Sequence, residues 1–284
     1  MNKLFKLLAA LFAASSITFA AVGISGFADL SYDDGDQNIE LDEIELRLSL
    51  DAEGPVTGNA NLSMGEAGDV TLEQAYVDYA LTSGATVTVG QFESTLGFDA
   101  YDADGLIANG AGLSVTGDVY DQGVRYTTGN LAVTVGESVN LAGDDNLDGD
   151  NHVVEVSYSK AVNDQLNAFV GFRSNEATGN DIFNAYVTYD VGALTLIGEV
   201  FQDDNDDTDG NQIAAVYGYS DNSSITVRSA STEDLNGTID TNTIAHATAL
   251  TDDLAFIIDV TETDGDTVQG QGGTNTTLEL LYTF

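Results

Sequence analysis

The chain has 284 residues, with 47 acids against seven Lys and Arg, a formal net charge of −40, no Cys and one Pro. That balance excludes nucleic acid as a partner, because phosphate binding needs clustered bases, and the lack of Cys excludes a disulfide framework. A lone Pro fits a continuous sheet, whose interior rejects a residue with no N–H.

The chain opens Met1-Asn2-Lys3-Leu4-Phe5-Lys6, runs apolar from Leu7 to Ala14 and closes on Thr18-Phe19-Ala20, with small residues at positions 18 and 20. This pattern predicts a signal peptide over residues 1–20, removed after Ala20, and one domain over residues 21–284. The two leader lysines leave 7 − 2 = 5 bases against 47 acids, a formal 5 − 47 = −42. No later segment offers about 18 consecutive apolar residues, so helical membrane spans are excluded.

Beyond Val22 the dominant signal is alternation with a period of two. Ile44, Leu46, Leu48 and Leu50 alternate with Glu45, Arg47, Ser49 and Asp51, so one face of that strand meets a nonpolar medium and the other meets water. The same pattern predicts strands near residues 22–32, 42–52, 56–64, 71–81, 85–91, 121–128, 130–139, 152–160, 165–173, 181–190, 193–201, 212–220, 224–230, 242–249, 254–261 and 275–284. Sixteen strands follow, with fourteen as the alternative. Connections at one end are short, as at Thr82-Ser83-Gly84, Thr128-Gly129 and Val191-Gly192; those at the other end are long and acidic, as at Asp203 to Asn211 and Glu262 to Gly273. Short turns on one side and long loops on the other predict an all-β, transmembrane antiparallel β-barrel with periplasmic turns and extracellular loops. Strands running toward the short turns carry Tyr79, Tyr126, Tyr158, Tyr189 and Tyr219 on the outward parity, as an interfacial aromatic girdle requires.

The stretch from Gln91 to Gly110 is the longest without alternation. Loops of this length are functional or disordered. Phe92, Leu96, Phe98, Tyr101, Leu106 and Ile107 make it too apolar for a solvated segment, so it is expected to pack inside the structure.

The exported N-terminus, the sixteen-strand alternation, the enlarged third outer loop and the ending Leu278-Glu279-Leu280-Leu281-Tyr282-Thr283-Phe284 together resemble Gram-negative outer-membrane porins. Leu72-Glu73-Gln74-Ala75-Tyr76-Val77-Asp78-Tyr79, then Val87-Thr88-Val89-Gly90-Gln91-Phe92 and Leu96-Gly97-Phe98-Asp99-Ala100-Tyr101, look most like the OmpL-like branch of β-barrel porins. The resemblance implies a passive diffusion channel in the cell outer membrane for small polar solutes and ions, with an inward-folded third extracellular loop. Its implied partners are outer-membrane lipid, lipopolysaccharide, the barrel assembly machinery and, as in general porins, two further copies in a homotrimer. The terminal aromatics Tyr282 and Phe284 map onto the assembly signal. The alternative function is a non-conducting structural or surface-interaction barrel with cation-binding acidic loops.

Arg47, Arg125, Arg173 and Arg228 share the lumen parity of their strands, and a charge facing lipid near the midplane would cost about 2 to 4 kcal/mol. In similar porins such wall arginines face acids of the third loop, which here map onto Glu93, Asp99, Asp102 and Asp104. The alternative is that the arginines neutralise wall acids such as Asp29, Glu137, Glu155 or Glu199. The acidic mature chain predicts a preference for cations, since clefts lined by one sign concentrate counterions.

Asp144, Asn146, Asp148 and Glu155 match the spacing of a calcium loop, although the flanks read as strands rather than helices. They are candidate metal ligands for Ca2+, in a chain otherwise expected to need no cofactor. No Cys, no paired His motif and no nucleophile or phosphate-loop signature is present, so no enzyme activity is expected.

Overall fold

The computed structural model describes residues 19–34, 38–52, 54–65, 70–99, 107–108, 119–139, 152–176, 179–204, 208–235, 237–265 and 272–284. Residues 1–18 of the expected leader lie outside them. All regular structure among the described residues is strand: β1 (Phe19–Asp33), β2 (Ile39–Ala52), β3 (Val56–Gly65), β4 (Val70–Ala80), β5 (Thr86–Glu93), β6 (Tyr120–Thr128), β7 (Leu131–Val139), β8 (His152–Ala161), β9 (Leu166–Asn175), β10 (Asn180–Val191), β11 (Leu194–Asp203), β12 (Thr208–Ser220), β13 (Ser223–Asp234), β14 (Gly237–Ala249), β15 (Leu254–Gly265) and β16 (Gly273–Thr283).

Each strand pairs antiparallel with its sequence neighbours, and β1 pairs with β16, so the sixteen strands close into one barrel and fourteen is excluded. The closing ladder runs from Phe27↔Thr283 to Asp33↔Thr277. It is extended by reciprocal backbone bonds between Gly26 and Phe284, both 3.0 Å. Closure leaves no edge strand with unpaired backbone groups.

The period-2 pattern places its two residue sets as the chemistry requires. Val89, Val135, Ile213, Val227 and Ile244 are more than half exposed on the outer face, while Glu45, Asp121, Glu155, Asn184 and Thr243 point inward and are buried. Polar groups inside and bare aliphatics outside invert a soluble core, which is the arrangement of a barrel wall against a nonpolar medium. Tyr79, Tyr126, Tyr158, Tyr189 and Tyr219 are all exposed outward near the short-turn end. Tyr217 joins them, whereas Tyr186 turns inward and stacks on Phe169 at 4.6 Å.

At the short-turn end Thr128↔Leu131 and Val191↔Leu194 close two-residue hairpins, and Gly129 supplies the positive φ of 55° that a primed turn demands. At the other end the structure corrects the sequence reading. β12 begins at Thr208, β13 runs on to Asp234 and β14 begins at Gly237, so much of the expected Asp203 to Asn211 loop is strand. Above the apolar band both faces of a strand are wet, so alternation fades there while the hydrogen-bonded ladder continues.

Candidate functional site: the third loop on the inner wall

Between β5 and β6 the chain turns into the barrel and crosses its inner wall strand by strand. Ser94 Oγ donates to Glu155 Oε2 at 2.6 Å, and the Thr95 amide and hydroxyl donate to Glu155 Oε1 at 2.9 and 2.7 Å. Glu155 stands on β8 and is 1% exposed. Next, Leu96 lies over β9. A Cβ at Gly171 would sit 2.2 Å from the Leu96 side chain, so the missing side chain is the socket that seats this residue. Leu96 then joins Phe169, Ile182, Phe201 and Ala230 in a buried apolar cluster, with Tyr186 against it. Phe98 meets Tyr186 edge-on at 5.4 Å.

The path continues over β10 to β13. The Gly97 amide donates to Asn184 Oδ1 at 3.1 Å, and the Phe98 amide donates to Glu199 Oε1 at 2.9 Å. Asp99 accepts from Arg228 at 3.0 Å. Further along, Thr226 on β13 donates to the Ile107 carbonyl at 3.0 Å, and Ala108 is buried. The described parts of the loop therefore lie flat on the sector from β8 to β13. Burial raises the carboxyl pKa of Asp99 above its ordinary value, and the Arg228 charge opposes that shift.

The four arginines do not act alike. Arg228 meets a side-chain carboxylate of the loop, Asp99. Arg173 grips Asp121 through two bonds of 2.6 and 2.7 Å and also reaches Glu155 at 3.3 Å. Arg125 packs over the Phe92 ring at 4.4 Å, lies 3.8 Å from Glu155 and donates to the backbone carbonyl of Glu93. Arg47 is 2.7 Å from its strand neighbour Glu45 and over the Phe27 ring. Among the expected wall acids, Glu155 serves arginines and loop together. Glu199 is held instead by neutral amides, Asn184 Nδ2 at 2.8 Å and Gln212 Nε2 at 2.6 Å.

Asp102 and Asp104 of the loop, and Asp144, Asn146 and Asp148 of the candidate calcium motif, lie outside the described residues. The fourth member of that motif, Glu155, has both carboxylate oxygens engaged by the loop. Tyr282 and Phe284 stack outward at 6.0 Å on the closing strand.

Sequence reasoning missed Ser94, Thr95, Asp121, Asn184, Gln212 and Thr226. The available signal was inward parity. Glu155, Asn184, Glu199, Gln212 and Arg228 are polar groups of the inner face on β8 and β10 to β13, which is more polarity than a bare wall needs. The Leu72 to Phe92 stretch also acquires a physical reason: Gln91 Nε2 donates to the Leu72 and Glu73 carbonyls at 3.0 and 2.7 Å, beside a register shift in the β3–β4 ladder.

No protein-family model matches the chain, and no curated protein matches its sequence. Solved structures share its fold. A loop-deletion mutant of OmpT, an outer membrane protein of Vibrio cholerae, matches with a TM-score of 0.68 at 13% identity, over 93% of this chain and 99% of that one. The anion-selective porin from Comamonas acidovorans matches with a TM-score of 0.62 at 13% identity, over 93% and 99%. The outer membrane channel DcaP of Acinetobacter baumannii matches with a TM-score of 0.67 at 13% identity, over 93% and 97%. The shared feature is the closed antiparallel barrel.

Proposed function

We propose that this chain is an outer-membrane porin, a passive diffusion channel for small hydrophilic solutes and ions that prefers cations. The observation that carries the reading is the third loop fixed inside the barrel against β8 to β13, among buried inward-facing residues. A loop folded into a channel narrows it and so bears on which solutes pass, by size and by charge. An exposed aliphatic belt with an outward tyrosine girdle supports residence in a bilayer, and similarity to a porin and a channel supports transport. The resemblance to the OmpL-like branch, carried by residues 72 to 101, supports the same reading. Tyr282 and Phe284 are the segment offered to the assembly machinery. The acidic outer rim suits divalent cations and, through them, lipopolysaccharide.

The test is a planar bilayer holding the refolded mature chain, under a KCl gradient. Ohmic channels with a cation-selective reversal potential support the reading. Folded, heat-modifiable protein that never conducts would favour the structural barrel, an outcome motivated by the near-complete burial of inward residues such as Glu45, Asp121 and Asn184.

A further inference from the structure

The inside of the barrel is filled unevenly. Every strand but β3 carries at least one buried residue. Inward groups such as Glu45 on β2, Thr134 on β7, Asn184 on β10, Thr243 on β14 and Glu279 on β16 are 2% exposed or less. On β3, by contrast, all ten residues from Val56 to Gly65 are partly exposed. The β2–β3 ladder identifies its inward set. Ser63 pairs with the inward Glu45, and Asn61 pairs with Arg47, so Thr57, Asn59, Asn61 and Ser63 face the lumen. Water therefore reaches the inner face of β3 along its whole length, and the unfilled part of the lumen lies against this strand.

The side chains there differ in kind from those under the loop. Asn59 and Asn61 stand in line on β3, Ser49 lies opposite Asn59 on β2, and Tyr76 lies opposite it on β4. All four are partly or fully exposed. Under the loop, the amides of Asn184 and Gln212 donate to Glu199. Among the described residues, no hydrogen-bond partner engages the amides of Asn59 and Asn61. The neighbouring charge is balanced within the wall, because Arg47 sits 2.7 Å from Glu45. A side-chain amide offers two donor hydrogens and an acceptor oxygen, and a hydroxyl both donates and accepts. Neighbouring strands lie about 4.8 Å apart and alternate residues of one strand about 6.7 Å, so the four groups cover a patch comparable to one sugar ring.

Resting on the reading of the chain as a channel, we propose that solutes cross along β3 and that Asn59, Asn61, Ser49 and Tyr76 form a contact row for small neutral polyhydroxylated solutes, monosaccharides and polyols. A hydroxyl-rich solute exchanges its bonds to water for bonds to this row, and no charge is left unpaired on either side. Each such exchange is nearly balanced, which lets the solute leave as readily as it enters. The row discriminates among neutral solutes and leaves ion preference to the acidic mouth.

The chain has no native Cys, so a single introduced thiol reports which inward positions the passage reaches. In a planar bilayer, a cationic methanethiosulfonate should cut the conductance of N61C channels about twofold, because the adduct stands in the path. The same reagent should leave T243C channels unchanged, since Thr243 shares the inward parity but is 1% exposed. Swelling of proteoliposomes tests the contact row. N59L/N61L keeps side-chain size and removes the amides, and its swelling rate in a neutral hexose should fall about threefold more than its potassium conductance does. Should N59L/N61L not assemble, N61A gives the same readout at one position. No effect of the reagent on N61C, or an equal loss in T243C, overturns passage along β3. Hexose and potassium rates that fall in proportion, or that both stay at the wild-type level, overturn the contact row. A wild type that neither conducts nor swells vesicles overturns the channel reading itself.

Discussion

Glu155→Ala should release the start of the third loop while leaving the barrel closed. In the native chain this carboxylate accepts bonds of 2.6, 2.9 and 2.7 Å from Ser94 and Thr95. Hydrogen bonds to a charged group contribute about 1.5 to 3 kcal/mol each; three that share one acceptor do not add, so about 3 kcal/mol is the working figure. That is roughly a hundredfold rise in the population with the loop off the wall. The wall itself loses less, because Arg173 keeps its double bond to Asp121 and Arg125 keeps the Glu93 carbonyl. Single-channel records should therefore show frequent excursions to a higher conductance level, and chymotrypsin should cut faster near Phe98, with heat-modifiable migration unchanged. Glu155→Gln, which keeps an acceptor and removes the charge, should fall between. A record as quiet as the wild type, with equal cleavage rates for Glu155→Ala, would refute the assignment of Glu155 as the loop anchor.

Deleting Ser94 to Ala108 should raise conductance several-fold, read in the same bilayers; an unchanged level would mean that the loop does not narrow the lumen. Asp99→Asn leaves the buried Arg228 guanidinium without its carboxylate, which should cost about 3 to 5 kcal/mol, seen as a lower midpoint in thermal scans, and should weaken cation preference. Removing Phe284, or replacing it with Lys, should abolish outer-membrane assembly but not export, since its backbone extends the β1–β16 closure through Gly26; folded protein at normal levels would contradict this. Gly26→Val should also impair closure, because a Cβ there would lie 2.0 Å from the Glu45 carbonyl oxygen. Loss of heat-modifiability in that variant is the readout.

The barrel was legible because its physics is written residue by residue. Ile44, Leu46, Leu48 and Leu50 must face one way and Glu45, Arg47 and Ser49 the other, whatever the neighbouring strands do, so strand positions and faces follow from local sequence alone. Legibility ended where the environment became the same on both faces. The polar runs 203–211 and 231–241 read as loops, yet Thr208, Asp209 and Gly210 pair with β11, and Glu233 and Asp234 pair with β14. Ladder hydrogen bonds between backbones leave no trace in side-chain polarity.

The inner wall was harder for a different reason: parity says that a side chain faces the lumen but not what it meets there. Arg47, Arg125, Arg173 and Arg228 look equivalent in sequence. What separates them is height and sector, fixed by register: Glu155 pairs with Arg173 across β8 and β9, which brings that arginine to the loop's anchor, whereas Arg228 pairs with Ala214 and Thr243, level with Asp99. The loop's contacts also mix charge types in a way that parity cannot foresee. At its start it is tied by Glu155, with two hydroxyls and one amide, and at Asp99 by Arg228; between these it rests on Asn184 and on a Glu199 held by Gln212. In the middle of the path Asn184, and Gln212 behind Glu199, hold the loop without placing a further positive charge in the lumen. A channel that prefers cations needs that, because an arginine at position 212 would grip Glu199 equally well while repelling the solute.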